Sequence, residues 1–328
     1  MEKYSMELFE RYRTPFLNYL EEQAPHTPPE ALYAPTNYIM QLGGKRLRPL
    51  LTLMAAEAFS GSIIDALPAA LAVEVFHNFS LVHDDIMDAA PLRRGQPTVH
   101  QKWDVNTGIL SGDVMLVLAY RQLERYPAPV FKQLVVEFST MAQQVCEGQQ
   151  WDMQFPNQEQ VRLEEYLQMI TYKTAVLVGC ALKMGALVGG ASEAAAAQCY
   201  AFGKNLGIAF QLQDDYLDAF GDPERFGKQV GGDILENKKT YLYLHACTHA
   251  SETHQKELAS WFSTTTSSPE KISSVCAIFE ASGATTAIKA EIDRYTAIAT
   301  SALDALSLEE KRKTPLKQMA AFLLQRDH

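Results

Sequence analysis

The sequence predicts an all-α fold, a single large bundle of helices around a central cavity. Three observations predict it. Almost every segment spaces its apolar residues with helical period, and no run keeps the alternation of a half-buried strand. Proline and glycine gather between these segments, where helices stop. One acidic pattern, Asp-Asp-x-x-Asp, closes two long apolar segments 130 residues apart, at Asp84 and at Asp214.

The elements follow in order. An amphipathic helix over 5–24 contains Pro15 and is closed by Pro25. Pro25, Pro28 and Pro29 link it to a second helix that ends at Gly43-Gly44. A third spans about 48–60, and Gly61-Ser62 separates it from a helix beginning near Ala66 that carries the first acidic motif. Residues 91–97 read as a loop, and a helix follows over about 111–126. Pro127 and Pro129 precede a helix over 130–155 that Pro156 stops, and helices near 161–188 and 192–220 come next. The Gly-rich stretch 221–233 reads as a mobile lid. Shorter helices occupy the remainder, with a polar loop over 263–268 and a helix over 285–307. No linker marks a boundary, so residues 1–328 read as one domain.

Composition narrows the function. A chain with 47% hydrophobic and 21% charged residues can bury a sizeable core. A net charge of −10 argues against a nucleic-acid surface. The five cysteines are scattered, with no C-x-x-C pair, and fit small core side chains in a reducing compartment. The N-terminus has neither the basic start nor the apolar core of a signal peptide, and the apolar stretch 174–190 is too interrupted to span a bilayer. Together these give a cytoplasmic protein with no membrane span.

On a helix, Asp84 and Asp88 share a face, and His77 points the same way. Asp85 is turned aside. A solvated acidic face accounts for one such motif, but two with basic residues after each favour a shared role. Close carboxylates raise each other's pKa unless a cation sits between them. Mg²⁺ fits, because it takes one or two carboxylates together with phosphate oxygens. The basic residues complement this. Gly43-Gly44-Lys45-Arg46-Leu47-Arg48-Pro49 sets three cations at a glycine turn opening a helix, which is both an anion site and a common helix joint. Arg93-Arg94-Gly95 follows the first acidic motif, and Lys173-Thr174 sits inside an apolar helix where a charge is costly. Lys228 and Lys238-Lys239 follow the second acidic motif.

These motifs, with Gly112-Asp113, Gly148-Gln149, Phe210-Gln211 and Gly232-Asp233-Ile234, resemble the trans-isoprenyl diphosphate synthases, the polyprenyl synthetase family, from about residue 10 to 310. The resemblance implies the isoprenoid synthase fold, with both acidic motifs facing one cavity and two copies forming a homodimer. It implies head-to-tail condensation of an allylic diphosphate with isopentenyl diphosphate, the departing pyrophosphate taking the proton. Asp84, Asp88 and Asp214 would hold Mg²⁺, three ions per site with substrate bound, with Asp85, Asp215 and Asp218 as closer or supporting partners. Lys45, Arg48, His77 and Arg94 would bind isopentenyl diphosphate. Arg93, Lys173, Thr174, Gln211, Lys228 and Lys238 would serve the allylic diphosphate, Thr174 and Gln211 placing oxygens near the transient cation. Phe79, with Ser80 and Phe76, would floor the product cavity, a pattern that implies geranylgeranyl diphosphate, with farnesyl or longer products as alternatives.

Three other readings compete. A metal phosphohydrolase built on His83-Asp84 needs further histidines and leaves the second motif unexplained. A non-catalytic prenyltransferase subunit tends to lose one motif. A terpene cyclase carries a different second metal motif.

Overall fold

The computed structural model describes residues 2–222, 230–264, 266 and 268–324. Lys228 and most of the Gly-rich stretch after Gly221 lie outside the described residues. The described chain is almost wholly helical, as the periodicity predicts, and its contacts gather into two compact units. Unit 1 comprises 1–139, 180–200 and 306–318; unit 2 comprises 140–179, 201–305 and 319–328. Four of the five divisions fall inside helices, and the fifth, between Ala305 and Leu306, falls in a short turn.

Unit 1 opens with α1 (Glu2–Glu22), α2 (Glu30–Gln41), α3 (Leu47–Ala58) and α4 (Ile63–Met87). Ser62 caps α4, its hydroxyl accepting the Ile64 N–H at 3.1 Å, so the helix starts three residues before Ala66. Between Ala66 and Phe76 only Pro68 escapes burial, the signature of a helix through the middle of a core. α3 and α6 (Val105–Leu123) pack on it. Asp104 caps α6 by accepting the Thr107 N–H at 2.9 Å, and that cap sets the start of the helix at Val105, six residues before Ser111. The predicted loop over 91–97 folds as a tight hairpin, β1 (Leu92–Arg93) and β2 (Gln96–Pro97), and a short α5 (Val99–Lys102) follows.

α7 (Ala128–Gln154), α9 (Val176–Val188) and α10 (Glu193–Phe220) contribute residues to both units. α8 (Leu163–Ile170) joins α9 through a π-helical turn, Thr171–Ala175, inside what the sequence reads as one helix. The shorter helices follow: α11 (Gly232–Leu235), α12 (Tyr241–His249), α13 (Glu252–Phe262), α14 (Pro269–Ala281), α15 (Ala284–Asp304) and α16 (Glu310–Leu324). Tyr166, Ile170, Leu212, Leu242, Val275 and Phe279 pack into the core of unit 2. Two helical stretches, Ile63–Met87 and Leu163–Val188, are long and apolar enough to cross a membrane, and in each 67% of the apolar window is buried inside the protein.

Candidate active site

The first acidic motif occupies the last turn of α4, and Asp88 is its C-cap, its N–H bonded to the Asp84 carbonyl at 2.9 Å. The negative end of the helix dipole therefore adds to the two carboxylates, and the helix end draws cations. Asp85 points elsewhere. It is 1% exposed, and both its oxygens accept from Arg93 Nε at 2.8 Å, with Arg93 Nη2 2.6 Å from Oδ1. Burial pushes the Asp85 carboxyl up and Arg93 pulls it back. Arg93 Nη2 also lies 3.7 Å from Asp84 Oδ2. A buried carboxylate thus fixes a guanidinium beside the motif.

Arg94 and Gly95 turn the hairpin, with φ of 53° and 72°. Positive φ at both central residues is the twist that suits two-residue hairpins. The turn sends Arg94 to the Gly43-Gly44 joint, where it donates to the Gly43 carbonyl. Gly44 holds a φ of 114°, which only glycine adopts readily, and the Arg94 guanidinium lies close over it, 2.9 Å from where a Cβ would stand. Arg46 follows in a left-handed conformation and buries its guanidinium against Glu74 and the Met40 carbonyl, anchoring the joint. Lys45 stays exposed beside it. Arg48 Nη1 lies 3.2 Å from His77 Nε2. Arginine only donates, so His77 accepts at Nε2 and keeps its proton at Nδ1. Burial, then Arg48, Arg94 and Arg93, hold the imidazole well below its ordinary pKa.

Unit 2 carries the second motif near the end of α10, again at the negative pole of a long helix. Asp215 is 5% exposed, and accepts from the Tyr166 hydroxyl and from Gln211 Nε2 at 3.1 Å. Burial and Asp233 push its carboxyl well above the usual range. Gln211 Oε1 in turn accepts from Thr174 Oγ1 at 3.2 Å, so Thr174, Gln211 and Asp215 form one relay. Asp218 Oδ2 accepts the Asp233 N–H at 3.0 Å, and burial with Asp233 pushes Asp218 up to about 6. Lys238 meets Asp233 at 3.1 Å and Glu236 at 2.8 Å. Burial lowers its pKa, but Asp233 and Glu236 outweigh that and hold the amine charged.

Lys173 lies in the π-helical turn, a feature that concentrates at functional sites. Its Nζ is 2.6 Å from Asp152 Oδ2. Gly148 of α7 presses against this turn, and a Cβ there would collide with the Tyr172–Lys173 backbone. Asp152 and Tyr166 are two members of this half that the sequence does not single out. Asp152 lies four residues after the Gly148-Gln149 motif, which is its only signal; Tyr166 has none.

The Polyprenyl synthetase family profile matches residues 29–279, most of the chain. The chain belongs to the polyprenyl synthetase family. It is 36% identical over 325 residues to the short chain isoprenyl diphosphate synthase of Methanothermobacter thermautotrophicus, covering 98% of this chain and 99% of that one. To the geranylgeranyl diphosphate synthase of Methanosarcina mazei it is 43% identical over 230 residues, 69% of this chain and 71% of that one. A crystal structure of a geranylgeranyl pyrophosphate synthase superposes with a TM-score of 0.93 at 51% identity, over 98% of this chain and 99% of the other.

In this polyprenyl synthetase, Asp84 and Asp88 stand one turn apart at the end of α4, a donor set that suits Mg²⁺, which is held by one or two carboxylates together with water and substrate phosphate oxygens. One turn before Asp84, Ser80 turns its hydroxyl to the His77 carbonyl at 2.8 Å. Half-buried Phe79 meets His83 with ring centroids 4.9 Å apart and Phe76 at 5.4 Å. Phe76 is fully buried and backed by Phe138 at 5.4 Å, which leans on Tyr120 at 5.0 Å.

Proposed function

We propose that this trans-prenyltransferase condenses an allylic diphosphate with isopentenyl diphosphate, and that its principal product is geranylgeranyl diphosphate. One observation carries the reading. Each unit sets two carboxylates one turn apart at the negative end of a long helix, beside cations that buried or neighbouring carboxylates hold in place. On this reading the two units act as one catalytic domain and both motifs meet the same diphosphate. Mg²⁺ held by Asp84, Asp88 and Asp214, three ions with substrate bound, would add positive charge to the departing diphosphate.

The chain's own residues do the rest. Arg93, Lys173 and Lys238, joined by Lys228, bind the allylic diphosphate, so charge developing on the leaving oxygen meets cations already in position. The carboxylate partners of Arg93, Lys173 and Lys238 prevent the reorganisation that free side chains would need. Lys45, Arg48 and Arg94 bind the isopentenyl diphosphate, and His77, neutral and accepting from Arg48, orients that guanidinium. The allylic C–O bond breaks, the double bond of isopentenyl diphosphate attacks the carbon so freed, and the proton then lost passes to the released pyrophosphate. Thr174 and Gln211, fixed by their relay to Asp215, hold oxygen dipoles near the transient cation. Phe79 over Phe76 stops the growing chain.

The same reading makes the enzyme a cytoplasmic homodimer without a membrane span. Free cysteines support the reducing compartment, and the exposed apolar side chains Ile109, Leu110 and Val117 on α6 support a second copy. Sedimentation equilibrium should give twice the chain mass; a monomer at micromolar concentration contradicts the dimer. Incubating the purified chain with Mg²⁺, isopentenyl diphosphate and farnesyl diphosphate should release a C20 diphosphate by mass spectrometry. Hydrolysis without C–C bond formation would overturn the reading.

A further inference from the structure

Lys271, in the first turn of α14, is a lysine with 0% of its surface exposed. Burying an ammonium is expensive unless it is paired, yet among the described residues no carboxylate lies within ion-pair distance. Its Nζ donates instead to Asn237 Oδ1 and to the Thr264 carbonyl at 3.1 Å, and lies 5.4 Å from the Phe262 ring centroid. Burial lowers its pKa. Such a group persists where the geometry it enforces matters more than its cost.

That geometry belongs to Asn237, which holds φ of 57° in the left-handed region. Asn237 immediately precedes Lys238, and its conformation turns the chain back so that the Lys238 N–H bonds the Asp233 carbonyl at 2.9 Å while its amine reaches the Asp233 carboxylate. Asp233 is itself tied to Asp218, whose carbonyl also accepts the Gly231 N–H at 2.6 Å. Ile272, next to Lys271, fills the space beside Gly231. The start of α14 therefore grips the 231–238 segment at both ends, at Gly231 through packing and at Asn237 through a charge.

We propose that Lys271 is a positioning residue: through its hydrogen bond to Asn237 it fixes the left-handed turn that aims Lys238 at the allylic diphosphate. The proposal rests on the reading of Lys238 as a diphosphate ligand. It separates Lys271 from a general core residue, because its effect must pass through Lys238 and so touch one substrate only.

The test uses the purified full chain with Mg²⁺, farnesyl diphosphate and isopentenyl diphosphate. Lys271→Met removes the donor while keeping length and apolar bulk, and should raise the KM for farnesyl diphosphate roughly tenfold, leaving that for isopentenyl diphosphate unchanged. Lys271→Arg, which retains donors, should restore most of the affinity. In a Lys238→Ala background Lys271→Met should add nothing, because the two act through one amine. Asn237→Gly keeps access to positive φ and removes the acceptor, so it should reproduce the KM shift, and it decides the matter if Lys271→Met does not fold. A wild-type KM for farnesyl diphosphate in the folded variant, an equal rise for both substrates, or full additivity with Lys238→Ala overturns the proposal. An unchanged KM in Lys238→Ala alone overturns the reading of Lys238 itself and identifies which of the two has failed.

Discussion

Arg93 and Arg94 are neighbours with different proposed tasks, and what separates them is what each is tied to. Arg93 is bound twice over by a carboxylate that cannot leave, whereas Arg94 is held by the Gly43 carbonyl. The partition of substrates between cations can be tested at Lys45. Lys45→Ala should raise the KM for isopentenyl diphosphate roughly tenfold or more, the worth of a charge-assisted bond, with little change for the allylic substrate. Equal changes would reduce the residue to part of a generic basic patch. His77 gives a pH prediction. Its folded pKa is lowered, so the unfolded chain binds the proton more readily. The stability it contributes is fully present above about pH 6.5 and is lost as pH falls below that value, by up to about 1.4 kcal/mol per pH unit. His245 acts in the same direction, so His77→Gln should reduce the loss between pH 7 and 5 in urea midpoints without abolishing it. An identical loss in the variant would show that His77 is not the group titrating.

Among the elements, the π-helical turn decides where Lys173 points, and Gly148 makes room for it. Gly148→Ala should displace the turn, lower kcat, and destabilise the fold by about 1–3 kcal/mol, as overpacking does; activity and urea midpoint both at wild-type values would contradict this. The aromatic stack behind Phe79 is the second elemental device. Phe79→Ala should lengthen the product by one or more C5 units, read by mass spectrometry, whereas an unchanged distribution places the floor elsewhere. Much of this was legible in sequence because it repeats a period: Asp84 with Asp88, His77 two turns earlier on the same face, and Lys173 stranded in an apolar run. The hairpin was not, because two-residue strands carry no alternation, although Arg94-Gly95 is compatible with such a turn. The π-helical turn was hidden because one extra residue leaves the apolar pattern almost unchanged. Tyr166 and Lys271 were hidden for another reason: their roles depend on partners 49 and 34 residues away.

For the whole molecule, the proposed condensation requires that the two acidic motifs serve one diphosphate. Their separate geometry is alike, long helix, terminal carboxylates and clamped cations, but likeness alone would also suit two independent cation sites. Groups that act as one unit show non-additive losses. The deciding measurement is the single-turnover rate of C–C bond formation in Asp84→Ala, Asp214→Ala and the double variant, at saturating Mg²⁺ and both diphosphates. Each single variant should lose on the order of 10²–10³-fold, and the double should be little slower than the worse single. A near wild-type rate in Asp214→Ala, or losses that multiply in the double, would contradict a shared diphosphate site.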